Sequence, residues 1–197
     1  MKRFSNSCLV VGLLWLVLAT DGFSQLSIRE AVRIGYAWSN FTNGYPYDQQ
    51  KLKTWTAGAG LEIKLLGILA VEGGVLYSAN GTVAIVHPKE MEVRLIGLSF
   101  PVVAKYSFFP VLIHPYILGG IEVSTLLSAK QDGEDIKDKV NSSDNAWILG
   151  CGAELSFLSK GVFIEGRMHF GGKDVFKDPS LKGIRNRTSK IMVGILF

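Results

Sequence analysis

From about residue 25 to the terminal Phe197, apolar and polar residues alternate in stretches of roughly nine to eleven, joined by connectors that are short and long in turn. A period of two confines such a chain to strands, because successive side chains of a strand point to opposite faces. In the stretch 54–65, Trp55, Ala57, Ala59, Leu61, Ile63 and Leu65 share one face, and Thr54, Thr56, Gly58, Gly60, Glu62 and Lys64 the other. Tilted strands of this length also match the hydrocarbon thickness of a bilayer. The pattern therefore predicts an all-β chain: an eight-stranded antiparallel up-and-down transmembrane barrel, apolar towards lipid and polar inside.

The N-terminus reads differently. Lys2 and Arg3 precede an apolar run over 9–19, and Gly22 and Ser24 put small residues at the -3 and -1 positions of a cut before Gln25. The run is about eleven residues long, against the roughly twenty a spanning helix needs, so residues 1–24 are expected to be a cleaved signal peptide. Residues 25–197 then form the barrel domain, about 173 residues with a net charge of about +3. That charge is too mild to point to nucleic acid. Cys8 leaves with the signal, and Cys151 stands alone with no metal-ligand spacing around it, which makes it a small lipid-facing residue. No cofactor motif is present, and no calcium-loop spacing of oxygen ligands.

Eight strands are expected over 28–38, 53–65, 67–78, 93–106, 112–126, 145–158, 161–171 and 188–197. The connectors near Leu66 and Gly67, 107–111, and Ser159 and Lys160 are short, and the others long. Over 161–171 the lipid face is Val162, Ile164, Gly166, Met168 and Phe170, and the inner face Phe163, Glu165, Arg167 and His169. Tyr116, Gly120, Glu122 and Ser124, and later Thr188, Lys190 and Gly194, also fall inward. Arg94 and Glu30 break this sorting, both near strand ends, where a lipid-facing charge costs little. Aromatic residues gather in two girdles: Tyr36, Trp38, Trp55, Tyr77, Trp147 and Phe170 towards the long loops, and Tyr106, Phe108, Phe109, Phe157 and Phe197 towards the short turns. There is an internal echo as well, since the Gly58, Gly60, Glu62 spacing after Trp55 recurs as Gly150, Gly152, Glu154 after Trp147, and Glu72-Gly73 recurs as Glu165-Gly166.

Four stretches resemble the outer-membrane β-barrel family typified by PorT-like proteins of the Bacteroidetes: 98–106 (LSFPVVAKY), 115–120 (PYILGG), 165–171 (EGRMHFG) and 193–197 (VGILF). The resemblance spans most of the chain after the signal, with the segment from Pro101 to Lys105-Tyr106 its most specific part. It implies an eight-stranded barrel in the bacterial outer membrane, with both termini periplasmic. Some members of that family assist protein secretion. Met168 stands where members often carry Tyr, a difference that bears on packing. The closing alternation Ile191, Val193, Ile195, Phe197 looks like the terminal strand that barrel assembly machinery takes up by strand addition.

Chemistry is sparser. The inward charges Arg29, Arg33, Glu62, Lys64, Glu72, Lys105, Glu122, Glu154, Glu165, Arg167 and Lys190 share a lumen just wide enough for side chains, so they are expected to pair as a plug. A loop over 171–187 carries Lys173, Lys177, Lys182, Arg185 and Arg187, a candidate surface for lipopolysaccharide phosphates or secretion components. His87, His114 and His169, with Ser180 or Ser189, show no triad spacing. Asn40, Asn80, Asn141 and Asn186 open Asn-x-Ser/Thr sequons, which in a bacterial chain are turn residues of the outer loops. The expected role is non-enzymatic: structural, surface-binding or assisting secretion or assembly. A barrel enzyme modifying outer-membrane lipid and a secreted lipocalin-like ligand carrier are the rivals, the second requiring the two faces to be reversed.

Overall fold

A computed structural model describes residues 26–42, 48–65, 67–86, 89–108, 112–157 and 160–197. The expected signal segment 1–24, His87, Phe109, parts of the short connectors (Leu66, Ser159) and the Phe157 side chain lie outside the described residues. The strands are β1 (Ser27–Phe41), β2 (Asp48–Leu65), β3 (Leu69–Val86), β4 (Lys89–Ser107), β5 (Ile113–Gln131), the two-residue β6 (Glu134–Asp135), β7 (Ser143–Phe157), β8 (Lys160–Gly171) and β9 (Asn186–Leu196). All pairings are antiparallel. Around the wall the order is β4-β3-β2-β1-β9-β8-β7-β5, and β4 pairs with β5, so eight strands close on themselves while β6 only extends β5.

Closure joins β1 to β9. Glu30 N donates to Phe197 O at 2.8 Å and Phe197 N to Glu30 O at 3.0 Å, which sets the start of β1 beside the end of β9 at the end of the barrel that carries the short turns. The stagger follows from the register. Glu30 pairs with Leu61, Leu61 with Gly73, then Val102, Ile121, Trp147, Phe170 and Arg187 in turn, and Arg187 pairs with Asn40, ten residues further along β1 than the start. That offset is what tilts the strands and lets the sheet close.

The two faces separate as the alternation requires. Val32, Ile34, Leu61, Val102, Ile121, Leu149, Ile164, Ile191 and Val193 are exposed on the outside, while Arg33, Glu62, Glu72, Lys105, Glu122, Glu165, Arg167 and Lys190 are buried within. A secreted barrel with an apolar interior would show the opposite, so the lipocalin-like arrangement is excluded. Aromatic belts rim the apolar band. At the loop end Tyr36 lies opposite Trp55, whose ring sits 5.4 Å from that of Tyr77, and Trp147 lies opposite Phe170. At the turn end Tyr106 and Phe108 meet edge to face at 5.0 Å, and Phe197 is exposed at the same end beside β1.

Strand lengths depart from expectation in one direction. β3 has 18 residues and β4 and β5 have 19 each, against 12 and 11 for β8 and β9. The stretches 79–86 and 89–92 thus continue the hairpin rather than forming a loop. Beyond the girdle the outward positions turn polar, as at Lys51, Lys53, Arg94 and Lys130, so the apolar alternation stops while backbone pairing continues. β2 to β5 therefore form a wall rising about seven residues, roughly 20 Å of strand, past the girdle. Asn40, Asn80 and Asn186 lie in strands, not loops, and the Asn80 side chain accepts a hydrogen bond from Thr188 Oγ1 at 3.2 Å.

The lipid-facing assignment makes a direct prediction. Val193, outward on β9 between Ile34 and Ile164, should lose roughly 2–4 kcal/mol of stability as Val193→Arg, and Ser189→Arg, level with Trp38 near the girdle, roughly 0–1 kcal/mol. Urea unfolding in phospholipid vesicles, followed by tryptophan fluorescence, checks this; equal costs at the two depths would contradict the placement.

Candidate functional site

Strand pleating puts every second residue into the lumen, and β1 supplies two arginines two inward steps apart, with the buried Ala31 between them. Arg29 pairs with Glu62 of β2 and, at 2.5 Å, with Glu154 of β7. Arg33 pairs with Glu72 of β3 and Glu165 of β8, each at 2.7 Å. Lys105 of β4 reaches Glu62 at 2.8 Å and Glu72 at 2.6 Å, and Arg167 of β8 reaches Glu72 and Glu165 at 2.9 Å each. Four cations and four carboxylates thus form one connected, charge-balanced cluster across the barrel, with side chains no more than 11% exposed.

Neighbouring residues complete the cluster. Tyr116 Oη donates to Glu165 Oε2 at 3.0 Å and Ser156 Oγ to Glu154 Oε1 at 2.7 Å. The Phe163 ring lies 5.1 Å from the Arg33 guanidinium, and the Tyr116 ring 5.2 Å from Lys105 Nζ, cation–π distances that hold the side chains in place. Two inward glycines make the room. A Cβ on Gly152 would lie 2.6 Å from Tyr116 Oη, and one on Gly194 2.3 Å from Phe163 Cζ, so neither ring fits beside a larger residue. A packed, paired lumen of this kind leaves no through-path at the level of the cluster.

Towards the loop end the lumen changes character. Glu122 (β5), His169 (β8) and Lys190 (β9) face one another, with His169 Nδ1 at 3.3 Å from Glu122 Oε1 and Lys190 Nζ at 3.9 Å from Glu122 Oε2. The second separation is beyond hydrogen-bonding reach. These groups border a cavity of about 70 Å³ that also touches Ser78, Ser99, Thr188 and, on its far side, Asn141, Ser142 and Asp174.

Above the cavity the two longest connectors fold over the barrel mouth. Val140 bridges to Phe176, Asn141 N donates to Val175 O at 2.9 Å, and Val175 N to Ile184 O at 2.8 Å. Ile136, Val140, Val175 and Ile184 pack with Phe41, Val93 and Ala129 of the rising wall into a buried apolar cluster, so the connectors form a lid. The basic residues expected to form one loop are distributed over it. Lys173 Nζ donates to Ser143 Oγ at 3.2 Å, Lys177 Nζ to Asp138 O at 3.0 Å, and Arg185 lies 3.8 Å from Asp174. Lys182 is exposed, and Arg187 belongs to β9, outward, 5.7 Å over the Phe170 ring of the girdle. Asp178 caps the turn Pro179–Leu181, and the Ser180 backbone N–H and hydroxyl hold its carboxyl below the usual range.

Several features were legible and unread. Asp132-Gly133 is the residue pair of a two-residue hairpin, and both adopt positive φ (50° and 91°) to turn β5 into β6. Asp178-Pro179 is the cap and first position of the short turn Pro179–Leu181. The residues that a catalytic site would need are not assembled: His169 points into the lumen, Ser189 is exposed on the outside, and Ser180 Oγ donates to Asp178 Oδ1 at 2.8 Å. Among the described residues no cluster of His, Cys, Asp or Glu suits a metal ion.

Residues 13–197 match the family model described as the outer membrane protein beta-barrel domain. Among solved structures, Neisserial surface protein A (NspA) is similar, with a TM-score of 0.57 at 15% identity, covering 87% of this chain and 97% of that one. The outer membrane protein OprG from Pseudomonas aeruginosa gives 0.54 at 11% identity, covering 87% and 96%. At such identities the likeness is one of fold. No curated protein matches the sequence.

Removing one member of the cluster strands its partners. Arg33→Met leaves Glu72 and Glu165 each short of a cation and is expected to cost roughly 3–5 kcal/mol, whereas Arg94→Met, which breaks the exposed pair with Glu92, should cost at most about 1 kcal/mol. Urea unfolding of the two variants in micelles checks this, and similar midpoints would contradict a tightly coupled interior.

Proposed function

This chain belongs to the outer membrane protein beta-barrel domain family, and on that premise we propose that it is a non-enzymatic outer-membrane barrel whose work is done at its loop end by surface binding. The carrying observation is the pairing of a closed interior with an elaborated mouth. A charge-balanced cluster fills the lumen, while β2 to β5 and the lid present an extended surface past the girdle. A barrel built for permeation needs the reverse, an open lumen and an unobstructed mouth.

The orientation follows from the same reading. The signal segment 1–24 is removed, the turn end with both termini faces the periplasm, and the loop end faces outward. The strand ending at Phe197 is the segment offered to the assembly machinery. Partners at the outer end are phosphate-bearing lipid headgroups of the lipopolysaccharide leaflet, met by Lys173, Lys177, Lys182 and Arg185 on the lid and by Arg187 at girdle height, where a cation meets headgroup phosphates. The stretches 98–106 and 165–171 support the PorT-like type within the family and, with it, a role beside secretion components. The separation of His169 from Ser180 and Ser189 supports the absence of lipid-modifying chemistry.

Titration of the folded protein in detergent micelles with fluorescent lipopolysaccharide tests the surface reading. We expect saturable binding that weakens with salt and falls at least tenfold when Lys173, Lys177, Lys182 and Arg185 are all changed to Glu. Equal binding by the unmodified and altered proteins would overturn it.

A further inference from the structure

The cavity beneath the lid differs from the rest of the interior, because its charged groups are buried without being joined. Lys190 Nζ, His169 Nε2 and Glu122 Oε2 have no hydrogen-bond partner among the described residues, and their side chains are only 1%, 5% and 7% exposed. In the ion cluster below, by contrast, each charge touches an opposite one within 3 Å. Buried polar groups that lack protein partners take them from whatever occupies the space beside them.

We propose that this chamber is a binding site for a small zwitterion of about the size of glycine, its carboxylate taken by Lys190 and its ammonium by Glu122. Three observations select that class. The first is charge: of the carboxylates that line the chamber, Asp174 lies 3.8 Å from Arg185 and Asp144 accepts the Asn145 and Lys173 backbone N–H groups, which leaves Glu122 and Lys190 to balance each other, so a dipolar solute keeps the balance, whereas a bare anion or cation leaves an uncompensated buried charge. The second is spacing. Lys190 Nζ and Glu122 Oε2 stand 3.9 Å apart, too far to satisfy each other and close enough for one small molecule to meet both, with His169 Nε2 as a further polar contact. The third is volume. A space of about 70 Å³ accommodates on the order of five water-sized groups, the number of heavy atoms in glycine.

Asn141, Ser142 and Asp174 form the outer wall of the chamber, and the ion cluster closes it from the turn end. The site therefore retains a solute rather than passing it through. This goes beyond the surface-binding role and stands or falls separately from it, since that role is read by lipopolysaccharide titration and this one by a small solute.

Equilibrium dialysis of radiolabelled glycine against the folded protein in micelles, with acetate and methylammonium as competitors, tests the proposal. The expected result is saturable one-to-one binding, with each singly charged competitor at least tenfold weaker than unlabelled glycine. Binding is lost in Lys190→Met and in Ser99→Val, which fills the chamber without changing its charge. Heat-modifiable gel mobility verifies that each variant is folded, and if Lys190→Met is not, Ser99→Val decides. Absence of saturable binding, unchanged binding in a folded variant, or acetate competing as well as glycine would each overturn the assignment.

Discussion

The structure depends on carboxylates from opposite walls being held by arginines of a single strand. In the barrel order β2 lies four strands from β7, and β3 four strands from β8, so each pair faces across the lumen. Arg29 joins Glu62 to Glu154, and two inward steps higher Arg33 joins Glu72 to Glu165. The repeated Trp, Gly, Gly, Glu spacing acquires a physical meaning here. Its two copies bring equivalent carboxylates to one axis, and the inward glycines, Gly152 among them, clear space for the groups that reach that axis. Buried ion pairs of this kind add little net stability against an apolar core, but they make every member costly to remove. What they specify is one register: a slip by one residue would turn the whole charged set into lipid.

Much of this was readable in the residues. The apolar and polar faces of Val162 to Phe170, of Trp55 to Leu65 and of Ile191 to Phe197 are those the alternation indicates, because lipid and a narrow lumen impose opposite demands on adjacent positions. The identity of the partners was not readable. That Arg33 meets Glu72 and Glu165 rather than Glu62 depends on the ten-residue stagger, which accumulates over eight pairings and leaves no mark in any one segment. The reach of β3 and β4 beyond the girdle was hidden for a different reason. Outside the apolar band both faces of a strand are polar or both apolar, as at Thr82, Val83, Ala84 and Ile85, and alternation ceases to report pairing. The lid was hidden because four apolar residues scattered over two connectors form no local pattern; they meet only when both connectors fold onto Phe41 and Val93.

The interior is thus layered along the barrel axis. The turn end and middle are filled by a charge-balanced ionic cluster, the next level holds partly joined polar groups around a small chamber, and the mouth is closed by an apolar lid set on a one-sided wall. Rigidity decreases in the same order, from buried ion pairs to backbone bonds in surface connectors. Binding surfaces belong at the less constrained end, carried by a scaffold whose centre cannot relax.

The most direct measurement of the central claim is a double-mutant cycle on Glu72→Gln and Glu165→Gln, read by urea unfolding in vesicles. The two carboxylates sit on opposite walls and are linked through Arg33 and Arg167. The account predicts non-additivity of at least about 1 kcal/mol, as expected for residues sharing one network. Additivity within about 0.5 kcal/mol would mean that the walls are not coupled through the cluster, and would contradict it.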